Sequence, residues 1–230
     1  MFVFLFLCCV FCIIVYETRR ILKIYQNQKL FCLANNIPVS VLKKPVFFII
    51  KRLTDVFVSL IVCITILPVL YLVLAPLIKC TSKGPVIFKQ QRIGLFGQDF
   101  TCYKFRSMVL NSSDVIAQKD DPRITPVGRI IRKTHIDECM QFVNVLCGKM
   151  SLVGPRPFTK ASAEKLTPFA NYQARYVISP GITGLSQVNS NRTLPPSKTL
   201  FFDLEYLKKM SYQTDIKILF ETLKFKDIAY

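Results

Sequence analysis

Histidine is nearly missing from this chain, and the single example, His135, leaves imidazole-based metal sites and hydrolytic triads little to work with. No zinc-ligand spacing is present either. Acidic residues are scarce, 14 against 31 lysines and arginines in 230 residues, for a formal net charge of +17. Such a surplus suits nucleic acid, an anionic membrane surface or phosphorylated substrates. The first of these is disfavoured: the aromatic residues, mostly Phe, sit inside apolar runs, not between basic residues where stacking platforms would lie. Internal repeats and low-complexity tracts are absent. The nine cysteines make no disulfide framework, because Cys8, Cys9, Cys12 and Cys63 lie in apolar runs, while Cys139 and Cys147 are expected on an apolar helix face. They read as reduced thiols acting as small hydrophobes.

What the chain does have is long apolar runs. Residues 56–78 carry no charge, and as a helix they would reach roughly 34 Å, enough for a hydrocarbon core of about 30 Å. A second run, 1–16, lacks a basic leader and an obvious cleavage site, so it reads as a retained anchor and not a signal peptide. Arg19, Arg20, Lys23 and Lys29 follow it and place its C-terminal end in the cytoplasm. Basic residues flank the 56–78 run on both sides, with Lys43, Lys44, Lys51 and Arg52 before it and Lys79, Lys83, Lys89 and Arg92 after it. Pro68, near its middle, removes a backbone donor and kinks a helix. Two courses fit: a kinked spanning helix, or a helix that breaks at Pro68 and returns to the same face. The flanking charges favour return.

The stretch 134–157, THIDECMQFVNVLCGKMSLVGPRP with its neighbours, concentrates the chemistry. A helix starting near Thr134 would use that hydroxyl as its cap, with Asp137 three residues on. Asp137, Gln141 and Asn144 would then share one face with Glu138 at its edge, and Gly148 would stop the helix. Lys104, Arg106, Arg123, Arg129, Arg132, Lys133 and Arg156 flank this segment in sequence. Structural ion pairs are one reading. The other is a diphosphate site, in which arginines contact phosphate oxygens and the carboxylates act as a Mg²⁺ ligand or a nucleophile. Elsewhere, 86–88 and 100–105 read as strands of a hairpin turned by Gly94 and Gly97; Asp120-Asp121 reads as a loop. Residues 198–226 alternate apolar and cationic positions in helical fashion, suited to the core or to a membrane interface.

Taken in order, KRLTD (51–55), the proline-interrupted run, SKGPVIFKQQRIG (82–94), YKFRSM (103–108), DPRITPVGRIIR (121–132), the acid-pair segment, MSLVGPRP (150–157) and PGITGLSQVN (180–189) resemble the bacterial sugar transferases. These are small monotopic phosphoglycosyl transferases that act on polyprenyl phosphate. The resemblance runs from about Lys51 to the C-terminus. It implies transfer of a sugar 1-phosphate from a UDP-sugar to polyprenyl (undecaprenyl) phosphate, with release of UMP. Asp137 would be the nucleophile, forming an aspartyl phosphosugar, with Glu138 assisting; Asp137 and Glu138 would also be the Mg²⁺ ligands. Arg106 and Arg156, then Arg129 and Arg132, would bind phosphate, and Pro68 would be the membrane kink. Leu67, Lys149 and Leu185 depart from residues common in the family (serine, aspartate and tryptophan). Lys149 motivates an alternative, an inactive membrane-bound scaffold that binds anionic lipid or glycosyltransferase partners.

The expectation is therefore an α+β monotopic membrane protein of three parts. These are an anchor and basic linker over 1–45, a re-entrant helix over 46–80, and a mainly helical catalytic domain over 81–230 with a short hairpin and interfacial helices. The expected location is the cytoplasmic face of a bacterial inner membrane. Expected partners are UDP-sugar, undecaprenyl phosphate, the membrane and downstream glycosyltransferases, without nucleic acid.

Overall fold

The computed structural model describes residues 2–109, 121–189 and 194–224, the first eight by backbone alone. Met1, Asp120 and Lys226, which fall in segments discussed above, lie outside the described residues. The first helix, α1 (Phe2–Ala34), does not give way to a linker after residue 16. Beyond Glu17 the apolar residues recur at helical spacing, and Ile21, Ile24, Tyr25, Phe31 and Cys32 face the main core. Asn36, in the left-handed conformation, turns the chain, and the amide of Ile37 donates to the carbonyl of Cys32. The expected linker is thus folded structure, because it carries an apolar face that needs a partner.

Helix α2 (Pro45–Thr81) begins with Pro45 at a position that needs no amide donor and runs for 37 residues, about 55 Å. It is the one helix among the described residues shown to be long and apolar enough to cross a membrane. No interruption of helical structure marks Pro68. Helical structure continues through Pro68 and Pro76, although Pro68 withdraws the donor that the carbonyl of Ile64 would otherwise receive. Packing explains the continuity. Phe47, Phe48, Arg52, Asp55, Ser59, Leu67, Leu74 and Ile78 are buried along one side of α2. The opposite side exposes Phe57, Leu60, Ile61, Ile64, Val69, Leu72 and Val73. Leu67, Leu74 and Ile78 join Val86, Phe105 and Ile131 in a second core, so the domain grips α2 on both sides of the proline.

A hairpin follows, β1 (Ile87–Ile93) antiparallel to β2 (Asp99–Phe105), with Phe88 opposite Lys104 and Arg92 opposite Phe100. β1 is longer than the expected 86–88. Phe96 and Gly97 take positive φ in the turn, and Phe96 packs on Phe31 of α1 at 5.5 Å between ring centroids. Next come α3 (Pro126–Lys133), a 3-10 turn (Ile136–Met140) and α4 (Gln141–Leu146). The chain then forms β3 (Ser151–Val153), α5 (Lys160–Glu164), a 3-10 turn (Tyr172–Tyr176), and β4 (Gly181–Thr183), which pairs parallel to β3. Helices α6 (Leu185–Val188), α7 (Pro196–Lys209) and α8 (Tyr212–Lys224) close the main core through Tyr206, Leu207, Met210 and Ile218. Among the described residues the architecture is mostly helical with two small sheets, consistent with an α+β class.

Candidate active site

Thr134 ends one helix where the sequence suggested it would start another. Thr125 caps α3 by accepting from the amide of Gly128 at 2.9 Å. Thr134 is the last residue of that unit, and its hydroxyl donates back to the carbonyls of Ile130 and Ile131. The reason is upstream: Thr125-Pro126 is itself a strong helix start. His135 then reverses the chain at φ 58°, and Asp137 and Glu138 fall in the tight 3-10 turn that leads into α4. Asp137, Glu138, Gln141 and Asn144 are all buried, so the polar face is turned inward. Asn144 explains how it is held: its side chain accepts from the amide of Tyr103 at 3.0 Å and donates to the carbonyl of Thr101 at 2.7 Å, tying α4 to β2. Cys139 and Met140 pack toward the second core as expected, while Cys147 is exposed and not buried. The seven described cysteines are free thiols.

The cations around Glu138 come from the hairpin and from the loop after β3. Lys104 Nζ lies 2.8 Å from Glu138 Oε1, and an Arg156 guanidinium nitrogen lies 4.0 Å from the same oxygen. Arg92 stands behind them, its guanidinium donating to Gln90 Oε1 and to the carbonyl of Pro157. Burial pushes the Arg92 pKa down; Arg156 adds to that shift, while Cys102 and Glu138 oppose it. The Cys139 thiol beside the pair is pushed up to about 11, first by burial and then by Asp137 and Glu138.

The Gly154-Pro155-Arg156-Pro157 loop is fixed by backbone contacts. The amide of Gly154 donates to Thr183, that of Gly181 to Pro155, and that of Ile93 to Phe158. A side chain at Gly154 would meet the Ser179 carbonyl at 2.5 Å, so glycine is what lets the two strands approach here. Beneath the loop, buried Arg175 donates to the Arg156 carbonyl at 2.6 Å, pairs with Asp203 at 2.8 Å and stacks on Phe158 at 3.9 Å.

The expected site residues therefore separate. Glu138 and Arg156 are brought together, with Asp137 buried next to Glu138 in the same turn. Arg106 is not at the pair: its guanidinium is buried and donates to the carbonyls of Ile78, Ser82 and Lys83, because the end of α2 leaves acceptors without helical partners. Arg129 is exposed on α3 and makes no side-chain hydrogen bond or ion pair among the described residues, and Arg132 is half-buried one turn before the acid pair. Arg92 was the missed contributor, while Lys104 was legible only as one of the flanking cations. The hairpin register puts both on one face, since Lys104, Cys102 and Phe100 follow at every second residue and Arg92 lies opposite Phe100. That alternation was the signal. Among the described residues no group of three or more His, Cys, Asp or Glu gathers.

The site is a buried acid pair whose Glu138 faces two cations, in a domain that carries one helix long and apolar enough to cross a membrane. Comparison gives the family: residues 46–226 match the bacterial sugar transferase family, and the chain belongs to it. It is 44% identical over 184 residues to the UDP-glucose:undecaprenyl-phosphate glucose-1-phosphate transferase of Klebsiella pneumoniae, covering 76% of this chain and 39% of that protein. It is 40% identical over 194 residues to the UDP-N-acetylgalactosamine-undecaprenyl-phosphate N-acetylgalactosaminephosphotransferase of Aeromonas hydrophila, covering 80% and 45%. With the exopolysaccharide production protein ExoY of Sinorhizobium fredii it shares 32% over 198 residues, covering 78% and 86%. The chain thus spans less than half the length of the first two relatives.

Proposed function

We propose that this protein is a phosphoglycosyl transferase that moves a sugar 1-phosphate from a UDP-sugar to undecaprenyl phosphate. The observation that carries the reading is the buried Asp137-Glu138 pair, whose Glu138 faces Lys104 and Arg156, in a chain whose relatives are named for this transfer. An Asp137 carboxylate oxygen attacks the β-phosphorus, and the bond from that phosphorus to the bridging oxygen breaks. UMP leaves with the electron pair, and the phosphosugar is held as an acyl phosphate on Asp137. A phosphate oxygen of the lipid then attacks the same phosphorus and releases the carboxylate. Lys104 and Arg156 stabilise the charge spread over the phosphoryl oxygens, and Glu138 holds both cations in place.

The two carboxylates fit Mg²⁺, which takes one or two protein carboxylates and fills its shell from phosphates and water. When bound, it would neutralise the diphosphate and the leaving UMP. The form of α2 supports a membrane placement: its exposed apolar side belongs in lipid, and its buried side rests on the domain. The proposal puts both of its ends and the site on the cytoplasmic face of the inner membrane, where a UDP-sugar would reach them.

The test is UMP release from UDP-sugars in detergent with Mg²⁺ and undecaprenyl phosphate, comparing the parent with Asp137→Asn. Turnover in the parent and loss of about 10³-fold or more in the variant are expected, since an amide has no anionic oxygen to attack phosphorus. Comparable turnover in both would sink the nucleophile assignment. Repeated turnover without the lipid acceptor, beyond the one UMP per enzyme that forming the acyl phosphate releases, would mean hydrolysis, and no release with any UDP-sugar would favour the scaffold reading that Lys149 motivates.

A further inference from the structure

The part of α1 that follows its apolar beginning makes a polar contact that the sequence gave no reason to expect. Glu17, 7% exposed, accepts from Arg52, 6% exposed, at 3.0 and 3.2 Å. Arg52 also donates to the carbonyls of Val145 and Leu146 at 2.6 and 2.8 Å. Arg20, one turn further along α1, approaches both Glu17 oxygens at 3.4 Å and donates to the carbonyls of Cys147 and Gly148 at 3.3 and 3.4 Å. Four consecutive carbonyls at the end of α4 are thus taken by two guanidinium groups, and one buried carboxylate aligns both. A helix of six residues has few carbonyls bonded within itself, and cations at its C-terminus are favourable. Gly148, at φ +70°, leaves room for this, because a Cβ there would lie 1.9 Å from the Arg20 guanidinium.

The consequence reaches the acid pair. The 3-10 turn bearing Asp137 and Glu138 runs directly into α4 at Gln141. The cations that Glu138 faces belong to other elements, β2 and the loop after β3. Whatever fixes α4 therefore sets Glu138 against those cations and Asp137 beside it. Residues 1–45 lie outside the matched family region, yet they supply the counter-charge for this end of the helix.

We propose that α1 is a positioning element of the site and that Glu17 is its positioning residue, holding Arg52 and Arg20 on the end of α4. Its effect on turnover rests on the function proposed above; its effect on α4 does not. The experiment uses the full chain in detergent and compares the parent with Glu17→Gln and Arg20→Ala. Amide exchange by mass spectrometry is followed over 141–150 and over the hairpin 87–105, together with kcat and KM for the UDP-sugar. Removing one member of a buried charged cluster should speed exchange about tenfold in 141–150 and leave 87–105 within about twofold. Turnover should fall about tenfold in kcat with KM little changed, the pattern of a misplaced reacting group.

Unchanged exchange over 141–150 overturns the proposal. So does equal acceleration of both segments, which would make Glu17 a general stability contact, or a rise in KM at constant kcat. If Glu17→Gln does not accumulate as folded protein, Arg20→Ala, whose side chain is 28% exposed, carries the same outcomes. If the parent releases no UMP, the proposed function fails, and local exchange alone decides the fate of the positioning role.

Discussion

Glu138 carries two cationic neighbours on one oxygen, and this makes their contributions separable. Lys104 touches it at 2.8 Å and is 15% exposed, while Arg156 stands 4.0 Å away and is 27% exposed. Arg156 is thus the freer of the two to turn toward a phosphate, and its planar guanidinium suits a two-point contact that an ammonium cannot make. Arg156→Lys should lower UMP release by about 10²-fold, the usual loss of one preorganised donor. Lys104→Met should act differently, leaving Glu138 with a weakened counter-charge and impairing turnover even at saturating UDP-sugar. Steady-state kinetics on both variants checks the split; parent-like kinetics in Arg156→Lys would return Arg156 to a structural role.

Beneath the loop, burial drives the Asp203 carboxyl up to about 6, with Arg175 and Ser186 pulling against it. A carboxyl whose pKa is higher folded than unfolded binds its proton more tightly in the native state. Its contribution to stability is full below about pH 4 and is lost as pH rises through about 6. The melting temperature of the parent relative to Asp203→Asn should therefore fall between those two pH values. A difference that stays flat would show that Asp203 does not titrate there.

At the level of elements, the outcome turns on which local signal wins. Asp137, Glu138, Gln141 and Asn144 were legible as one polar set because spacing alone groups them. Their housing was not legible, since Thr125-Pro126 starts a helix that uses up Thr134, leaving a tight turn for the acids. The hairpin was readable from Gly94 and Gly97, whereas β3 and β4 are three residues each and pair in parallel across a long connection that no local pattern announces. The place of Arg106 on the end of α2 was not legible, because a guanidinium next to a phosphate and one on a helix end look alike in sequence.

Gly148 was readable as a helix stop, and the structure adds the reason for its size. Gly148→Ala should cost about 1–3 kcal/mol, combining the left-handed backbone with displacement of Arg20. Thermal unfolding in detergent measures this. A parent-like melting temperature would mean that neither constraint holds in solution.

For the whole molecule, the decisive question is how a helix as long and apolar as α2 meets the bilayer. A spanning helix would have to leave the domain along half its length. Here the first half is tied down by Arg52 on the α4 carbonyls and by Asp55, which accepts from the amide of Leu152 at 3.0 Å. The last turn is tied down by Arg106, and Leu67, Leu74 and Ile78 are buried between. Detaching either half would strip buried charges of their partners, at a cost of several kcal/mol each. Lying in one leaflet costs nothing comparable, since the exposed side is already apolar. The flanking lysines give the same answer from charge. Lys44→Cys and Lys83→Cys, each in a chain whose nine native cysteines are replaced, should both resist a membrane-impermeant thiol reagent in intact cells and both react after permeabilisation. If Lys83→Cys labels in intact cells and Lys44→Cys does not, α2 crosses the bilayer, and a site fed by cytoplasmic UDP-sugar is ruled out.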